Sequence, residues 1–345
     1  MGTVQAPDRD SMLVNGHTHL YSGLVPLGMP EPDPKPANFI EILDRVWWKL
    51  DRALDENSLR ASAEIYVAHA LKAGTTCLID HHESPNFIEG SLDVLSDVCE
   101  TFGMPALLCY GITERNGGLE EARRGLAENE RFLQHCARHS NHFVRGAVGV
   151  HASFTVSDEA LRSAAELAEE HSAPLHIHVA EDLADVKDAV QRGYEGVIDR
   201  LDKLGALQPG TLLAHGVHLN RNEVALLSER GCWLVQNPRS NHGNGVGYPA
   251  HLSAARRVAL GTDGFPSNML EERDVLTHEA AKAEASGVQG ERKSAEKRLA
   301  AGTALARELF GDRLPVSTRL PTSMDLIQKN AKQQAAELWT RMARI

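Results

Sequence analysis

A (β/α)8 TIM-type barrel is the fold class this sequence predicts, and three observations predict it. Eight apolar, strand-like runs recur along the chain, most of them followed by a stretch with helical spacing. The runs are too continuous for a half-solvated sheet, which implies parallel strands covered on both faces. Histidines and carboxylates stand just past the ends of the runs, where barrels of this kind carry their sites. An open doubly wound sheet is the alternative, and periodicity alone does not exclude it. No Gly-x-Gly-x-x-Gly or P-loop follows any run, so nucleotide-cofactor folds lose support.

The first strand, Met12-Leu13-Val14, ends in Asn15-Gly16-His17-Thr18-His19. Strand residues two apart share a face, so His17 and His19 aim at one point. Two imidazoles converging on a point suit a transition metal; a surface pair without a ligand role is the alternative. The stretch 23–36 carries five prolines and reads as a stiff loop, a candidate wall or lid beside that pair. Asn38 caps a helix over 39–54, and Ser58 begins another that runs to about residue 73. Trp47 and Trp48 on the first of these read as packing. Strands follow at 76–80, 105–110, 143–150, 174–179, 211–214, 232–236 and 257–260. Helices at 88–102, 119–139, 158–171, 185–204 and 221–230 lie between them, with Ser157 and Asn220 as caps. After Gly261, 268–286 and 291–310 read as helices and 311–322 as a loop with Pro315 and Pro321. The tail has Leu326, Ile327, Ala331, Ala335, Leu338, Trp339 and Met342 at helical spacing. It is expected to pack outside the barrel or on a partner. The organisation is thus an arm over 1–11, a barrel over 12–310, and a loop with a helical tail over 311–345.

The 345 residues, 42% hydrophobic and 24% charged, have the balance of a soluble globular chain that can bury a large core. The net charge of −11 argues against nucleic-acid binding. No run is long enough to span a membrane, and no apolar leader opens the chain, so a cytoplasmic location is expected. The five cysteines are odd in number and form no Cys-x-x-Cys, which suggests neither a disulfide framework nor a thiolate zinc site. Cys77 and Cys109, in strand-like runs, read as buried thiols.

Polar residues at the strand ends carry the chemistry. The first strand offers His17 and His19, the second Asp80, His81 and His82, and the fourth His151. The fifth offers His176, His178 and Glu181, the sixth His215 with His218 nearby, the seventh Asn237, and the eighth Asp263 in Gly-Thr-Asp-Gly. Neutral imidazoles with one carboxylate are ordinary ligands of Zn²⁺ or Fe²⁺. His17, His19, His178 and Asp263 make such a set for one divalent metal, zinc first and iron as the alternative, with a position left for water. A bound metal lowers the pKa of that water towards neutrality, and Asp263 can accept its proton. Glu181, three residues past His178, suits a proton shuttle, and His215 can hold the attacking oxygen.

Blander readings stand beside these. His176 lies deeper than His178 and suits a hydrogen-bond partner behind a ligand. His218 suits a loop or cap. His81 and His82 point to opposite faces, so at most one reaches the site, and His82 is assigned to it as a substrate contact. Asp80 suits an orienting carboxylate. His135, His139, His142 and His171 fall on helices or turns and are expected to face solvent. Asn237-Pro-Arg-Ser-Asn241 either shapes the site through backbone amides, with Asn237 on the substrate, or is a plain turn.

In order, His17-x-His19, His178-x-x-Glu181, Leu-Ala-His215, Asn237-Pro-x-Ser-Asn241 and Gly-Thr-Asp263-Gly closely resemble the amidohydrolase superfamily. The branch is the one holding guanine, cytosine and S-adenosylhomocysteine-type deaminases and triazine chlorohydrolases. Within it, residues 38–54 and 79–86 resemble aminohydrolases associated with selenium and purine metabolism. The resemblance covers about residues 12–310. It implies a mononuclear metal site, since strand four has no lysine for a carbamate bridge; His151 in the matching region is implied to touch substrate. It also implies hydrolytic deamination of a small nitrogen heterocycle, purine-, pterin- or triazine-like. The nucleophile adds to an amine-bearing ring carbon, Glu181 protonates the neighbouring ring nitrogen, and His215 and Asp263 assist collapse to a carbonyl and ammonia. Cyclic amide or carbon–halogen hydrolysis at the same site is the nearer alternative, and a non-catalytic barrel the more distant one.

Two departures from the family pattern shape the expectation. Only 16 residues precede His17, where relatives carry several dozen that form part of a β-sandwich. Near the other end, Met324-Asp-Leu-Ile leads into a helical tail rather than a strand. The chain therefore reads as a barrel without most of that flanking sandwich, and its uncovered apolar surface favours a homodimer.

Overall fold

The computed structural model describes residues 12–139, 143–291, 293–311 and 323–345. The expected arm, His142, and most of the expected loop with Pro315 and Pro321 lie outside these residues. Eight parallel barrel strands are present: β1 Leu13–Thr18, β2 Thr75–Asp80, β3 Ala106–Leu108 continued by Gly111–Ile112, and β4 Val144–Gly146 continued by Val148–Ala152. β5 Leu175–Val179, β6 Leu212–His215, β7 Trp233–Gln236 and β8 Val258–Leu260 complete them. β3 and β4 are each irregular midway. Their first segments pair in the sheet of β1 and β2, their second segments in the sheet of β5 to β8. The two sheets so form one wall. Among the described residues every strand belongs to it.

The barrel closes where β8 meets β1. The backbone N–H groups of Thr262 and Asp263 both donate to the His17 carbonyl, at 2.9 and 3.0 Å. Asn15 reinforces the seam: its amide donates to Thr262 Oγ1 at 2.7 Å, and its Oδ1 accepts from the Thr262 N–H at 3.0 Å. Two glycines make the approach possible. A Cβ on Gly16 would meet the Leu260 carbonyl at 2.9 Å; one on Gly261 would meet Asn237 Oδ1 at 2.6 Å and both N and O of His17 at 2.7 Å. Gly261→Ala is therefore expected to lower folding stability by about 1–3 kcal/mol, the cost of overpacking a rigid backbone contact. A urea midpoint equal to wild type would show that the seam tolerates the methyl.

The helices differ from the sequence expectation in informative places. Asn38 caps as expected, its Oδ1 accepting from the Glu41 N–H at 3.0 Å. The helix behind it is not uniform, however. An α-turn, Phe39–Ile42, passes into a π-helical turn, Leu43–Trp47, and then into a helix, Trp48–Ala53. The next helix, Glu56–Lys72, starts two residues early because Asp55 and Ser58 cap each other reciprocally. The expected helix over 185–204 is two, Leu183–Gln191 and Val197–Lys203, broken at Gly193, whose φ of +92° no helix accommodates.

The proline-rich stretch 23–36 does not wall the site. Leu20–Leu27 forms 3-10 turns that bury Leu20 and Leu24, and Gly23 lies so close to the Ser62 carbonyl that a Cβ would meet it at 2.2 Å. That contact ties the segment to the barrel's outer layer, away from the mouth. The tail helix, Met324–Met342, packs on the same layer. Ala331, Ala335, Leu338 and Met342 join the core around Glu56–Lys72, and Arg341 donates to the Ala53 carbonyl at 2.8 Å. Cys77 and Cys109 are buried, and burial pushes both thiols up. Among the described residues, no helix is long and apolar enough to cross a membrane.

Candidate active site

The barrel gathers residues from β1, β5, β6 and β8 at one end of the strands. His17 and His19 leave β1 with their rings 5.0 Å apart. His178, on β5, brings its Nε2 to 3.3 Å from His19 Nε2. Asp263 Oδ1 lies 2.8 Å from His19 Nε2 and 3.7 Å from His17 Nε2. One ligand-type atom from each of His17, His178, His215 and Asp263 falls within 4.8 Å of the others. His215, assigned from sequence to the attacking oxygen, thus stands close enough to share the ligand shell.

The backbone takes unusual shapes to achieve this. Ala180, His215 and Asp263 have φ of +47°, +73° and +54°, left-handed values that non-glycine residues seldom adopt. Each lies at or just past a strand end, where the turn swings the next side chain back over the barrel. Asp185 holds the first of them: its carboxylate accepts from the N–H of Ala180 at 2.8 Å and of Phe154 at 3.1 Å. Strain held by such contacts is typical of functional sites.

The imidazoles are oriented from behind. His19 Nδ1 donates to the His81 carbonyl at 2.5 Å, and His178 Nδ1 to the His151 carbonyl at 2.5 Å. His215 Nδ1 donates to Asn241 Oδ1 at 2.9 Å, and His17 Nδ1 lies 2.9 Å from His176 Nε2. Every Nδ1 is occupied, so every Nε2 turns inward. His17 Nε2 and His215 Nε2 are buried and make no hydrogen bond. Fixing one ring nitrogen so that the other presents its lone pair is how proteins prepare histidine for a metal. The donor set, imidazole nitrogens with one carboxylate, fits a divalent transition ion.

Burial pushes His17 down to about 3, and His178 well below the ordinary histidine value, which keeps both neutral as ligands must be. His19 goes the other way. Burial opposes its charge, but Asp263 and Glu83 raise it to about 10. Burial raises Glu181 to about 7 although His215 pulls it down.

Three polar side chains hold Asp263, Glu181 and His215 in place. Ser240 Oγ donates to Asp263 Oδ2, and Asn244 donates to Glu181 Oε1 at 3.2 Å. Asn241 fixes His215 as described. Asn237-Pro-Arg-Ser-Asn241 therefore acts through side chains on the short helix Pro238–Gly243 rather than through backbone amides. Asn237 is fully buried beneath His215, its Nδ2 3.3 Å from His215 Nδ1. It lies outside the cavity lining, so its placement does not give the expected substrate contact. Asn241→Ala removes the acceptor to which His215 Nδ1 donates. Turnover is expected to fall about 10–100-fold with the fold retained. Turnover within twofold of wild type, measured by ammonia release, would count against this orienting role.

The cavity above the cluster is lined by His19, His178, Glu181 and Asp263 at its floor and by Tyr21, Phe39, Leu43, Trp47, Trp48 and Phe154 along its sides. Trp47 and Trp48, expected as packing, are both wall residues. Trp47 ends the π-helical turn and Trp48 opens the α-helix behind it, and both also pack against the apolar cluster of Phe39 and Leu43. Gly264, next to Asp263, seats the Trp47 indole, whose ring atom lies 2.5 Å from where a Cβ would be. His151 lines the cavity, with Nδ1 3.0 Å from Thr155 Oγ1. His82 does not. Its Nε2 contacts Ser84 Oγ at 2.7 Å and its ring packs between Tyr21 and Tyr110. His81 is the one of the pair that faces inward, its ring 4.6 Å from that of His178 and its Nδ1 2.7 Å from Glu83 Oε1. Asp80 accepts from the Leu20 N–H at 2.6 Å and so fixes the chain just after His19. Glu83, Asp51 and Arg115 also line the cavity and carry no motif that marks them in the sequence.

The family model of the amidohydrolase family matches residues 13–311, the whole barrel and its covering helices. The chain belongs to the amidohydrolase family. Among curated relatives, this amidohydrolase is 33% identical over 283 residues to 8-oxoguanine deaminase of Pseudomonas aeruginosa, covering 76% of the chain. It is 30% identical over 308 residues to 5'-deoxyadenosine deaminase of Methanopyrus kandleri, covering 87% of the chain. The chain spans 62% of the length of the first relative and 68% of the second. Among solved structures, the adenosine deaminase from Xanthomonas campestris with bound zinc superposes with a TM-score of 0.74 at 24% identity, over 93% of this chain and 75% of that one. That likeness carries the barrel fold.

Proposed function

We propose that this amidohydrolase is a metal-dependent hydrolytic deaminase of a nitrogen heterocycle, and that the metal is zinc. One observation carries the reading. The inward Nε2 atoms and Asp263 converge below an aromatic-walled cavity, with Glu181 Oε2 3.5 Å from His215 Nε2. The deaminase names of the relatives support it. His17, His19, His178 and Asp263 would hold the ion, with His215 at hand. A divalent metal there supplies Lewis acidity that makes water a nucleophile near neutral pH.

The chain's own groups do the rest. The aromatic walls hold a planar ring over the cluster, and His151 meets its edge. Water adds its oxygen to the amine-bearing ring carbon while Asp263 takes the proton released. His215 Nε2 orients that oxygen. Glu181 gives its proton to the ring nitrogen beside the reacting carbon. A carboxyl raised to about 7 by burial suits both giving and regaining a proton near neutral pH. Collapse breaks the carbon–nitrogen bond. The amine leaves as ammonia with the proton from Asp263, the added oxygen passes its remaining proton by way of His215 to Glu181, and the ring keeps a carbonyl.

Ammonia release from a panel of purines, pterins and triazines, run with metal analysis, tests this. Release with about one divalent metal per chain is expected. A folded, metal-loaded protein that frees no ammonia from any of them, or that instead opens a cyclic amide or frees halide, would overturn the deaminase reading.

A further inference from the structure

The far wall of the cavity holds buried polar atoms that no hydrogen bond in the protein uses. Asp51 and Arg115 form an ion pair there, Arg115 Nη2 donating to Asp51 Oδ2 at 2.7 Å, with side chains only 2% and 5% exposed. Arg115 Nε donates to Thr113 Oγ1 at 3.2 Å, and the guanidinium stacks over Trp48, 5.1 Å from the ring centroid. This leaves four buried atoms in cavity-lining residues without a hydrogen bond: the donors Arg115 Nη1 and Trp48 Nε1, and the acceptors Asp51 Oδ1 and Glu83 Oε2, the last 3.6 Å from His19 Nδ1. An unpaired buried polar atom costs about 1–3 kcal/mol. Four of them in one wall, none serving the proton transfers described above, describe the complement of a ligand.

The signs of these groups narrow that ligand. Asp51 neutralises Arg115, so the guanidinium is not a phosphate or carboxylate site. Glu83 adds a further negative charge close by. The wall therefore opposes an anionic group. It offers a charged N–H donor for a carbonyl oxygen and carboxylate oxygens for N–H groups. A ring with acceptors alone, such as an alkylated triazine, leaves both carboxylate oxygens unpaired.

Resting on the deaminase reading, we infer that the substrate carries, remote from its reacting carbon, a cyclic urea edge, a ring carbonyl between two N–H groups. Arg115 reads the carbonyl, and Asp51 and Glu83 read the N–H groups. These three residues determine specificity through direct contact with the substrate. A site built to hydrogen-bond a polar edge rejects analogues lacking it far more strongly than an apolar pocket does.

The test compares 8-oxoguanine with guanine. The two share the amine-bearing ring and differ in the urea edge. In the wild-type metalloenzyme, kcat/KM from ammonia release is expected to favour 8-oxoguanine by at least ~100-fold. In Arg115→Met and Asp51→Asn, with metal content unchanged, the ratio is expected to fall towards one through loss on the oxo substrate. The wild-type ratio decides the matter even where a variant folds poorly. Equal kcat/KM for the two purines, or turnover confined to rings without an N–H and carbonyl edge, overturns this inference and leaves the deaminase reading standing. Absence of ammonia from every heterocycle overturns the deaminase reading instead.

Discussion

His178→Ala is expected to abolish metal binding and activity together. The wild-type chain should hold about one divalent ion, and the variant less than ~0.1 under the same metal supply. His178 is held by the His151 carbonyl, and its Nε2 meets His19 across the centre of the cluster. Its removal takes away a prepared nitrogen donor from the centre of the cluster. Turnover should fall by at least ~10⁴-fold, because the nucleophile depends on the ion. A second readout does not depend on activity. A ligand present at a thousand times its Kd stabilises the fold by about 4 kcal/mol. Chelation should therefore lower the melting temperature of the wild type, and added metal restore it, whereas His178→Ala should respond to neither. A variant that keeps its full complement of metal would remove His178 from the ligand shell.

Glu181→Gln is expected to separate chemistry from metal binding. The amide keeps the shape of the carboxylate and can still accept from Asn244, which lies 3.2 Å from Oε1. It cannot carry a proton to a ring nitrogen and regain it. Loss of a positioned general acid costs about 10²- to 10⁴-fold. We expect kcat to fall by that amount while metal content stays at about one per chain. Loss of the ion on this substitution would instead make Glu181 a ligand. Together the two variants divide the cluster into groups that hold the metal and groups that move protons.

Several parts of this arrangement were legible before any coordinates. Strand alternation is a fixed period of two, so His17 with His19 and His176 with His178 had to share faces. Parallel strands in a barrel end at one mouth, so strand-terminal histidines and Asp263 had to meet there. The phase just past a strand end is not fixed in that way. His81 and His82 were equivalent by sequence, and only the packing of His82 between Tyr21 and Tyr110 turned His81 inward. The tryptophans pack against apolar clusters as their sequence suggested, but their second role as cavity walls was not legible. A helical pattern places Trp47 and Trp48 on an apolar face but does not say whether that face meets the core or a cavity. The substrate wall was least visible: Asp51 and Arg115 are 64 residues apart and belong to no motif.

By itself, the sequence determined the barrel, the order of its strands and the residue types delivered to its mouth. These follow from local rules: apolar periodicity, capping side chains, and glycines at points where backbones must touch. The tertiary structure decided which of those residues meet and what each is free to do. It set the left-handed turns at Ala180, His215 and Asp263, the acceptors that occupy each Nδ1, and the ion pair that closes the cavity. The physical reason is range. Alternation and capping act over a few residues and are written into neighbours. Hydrogen-bond partnership in the site joins elements whose separation along the chain carries no period.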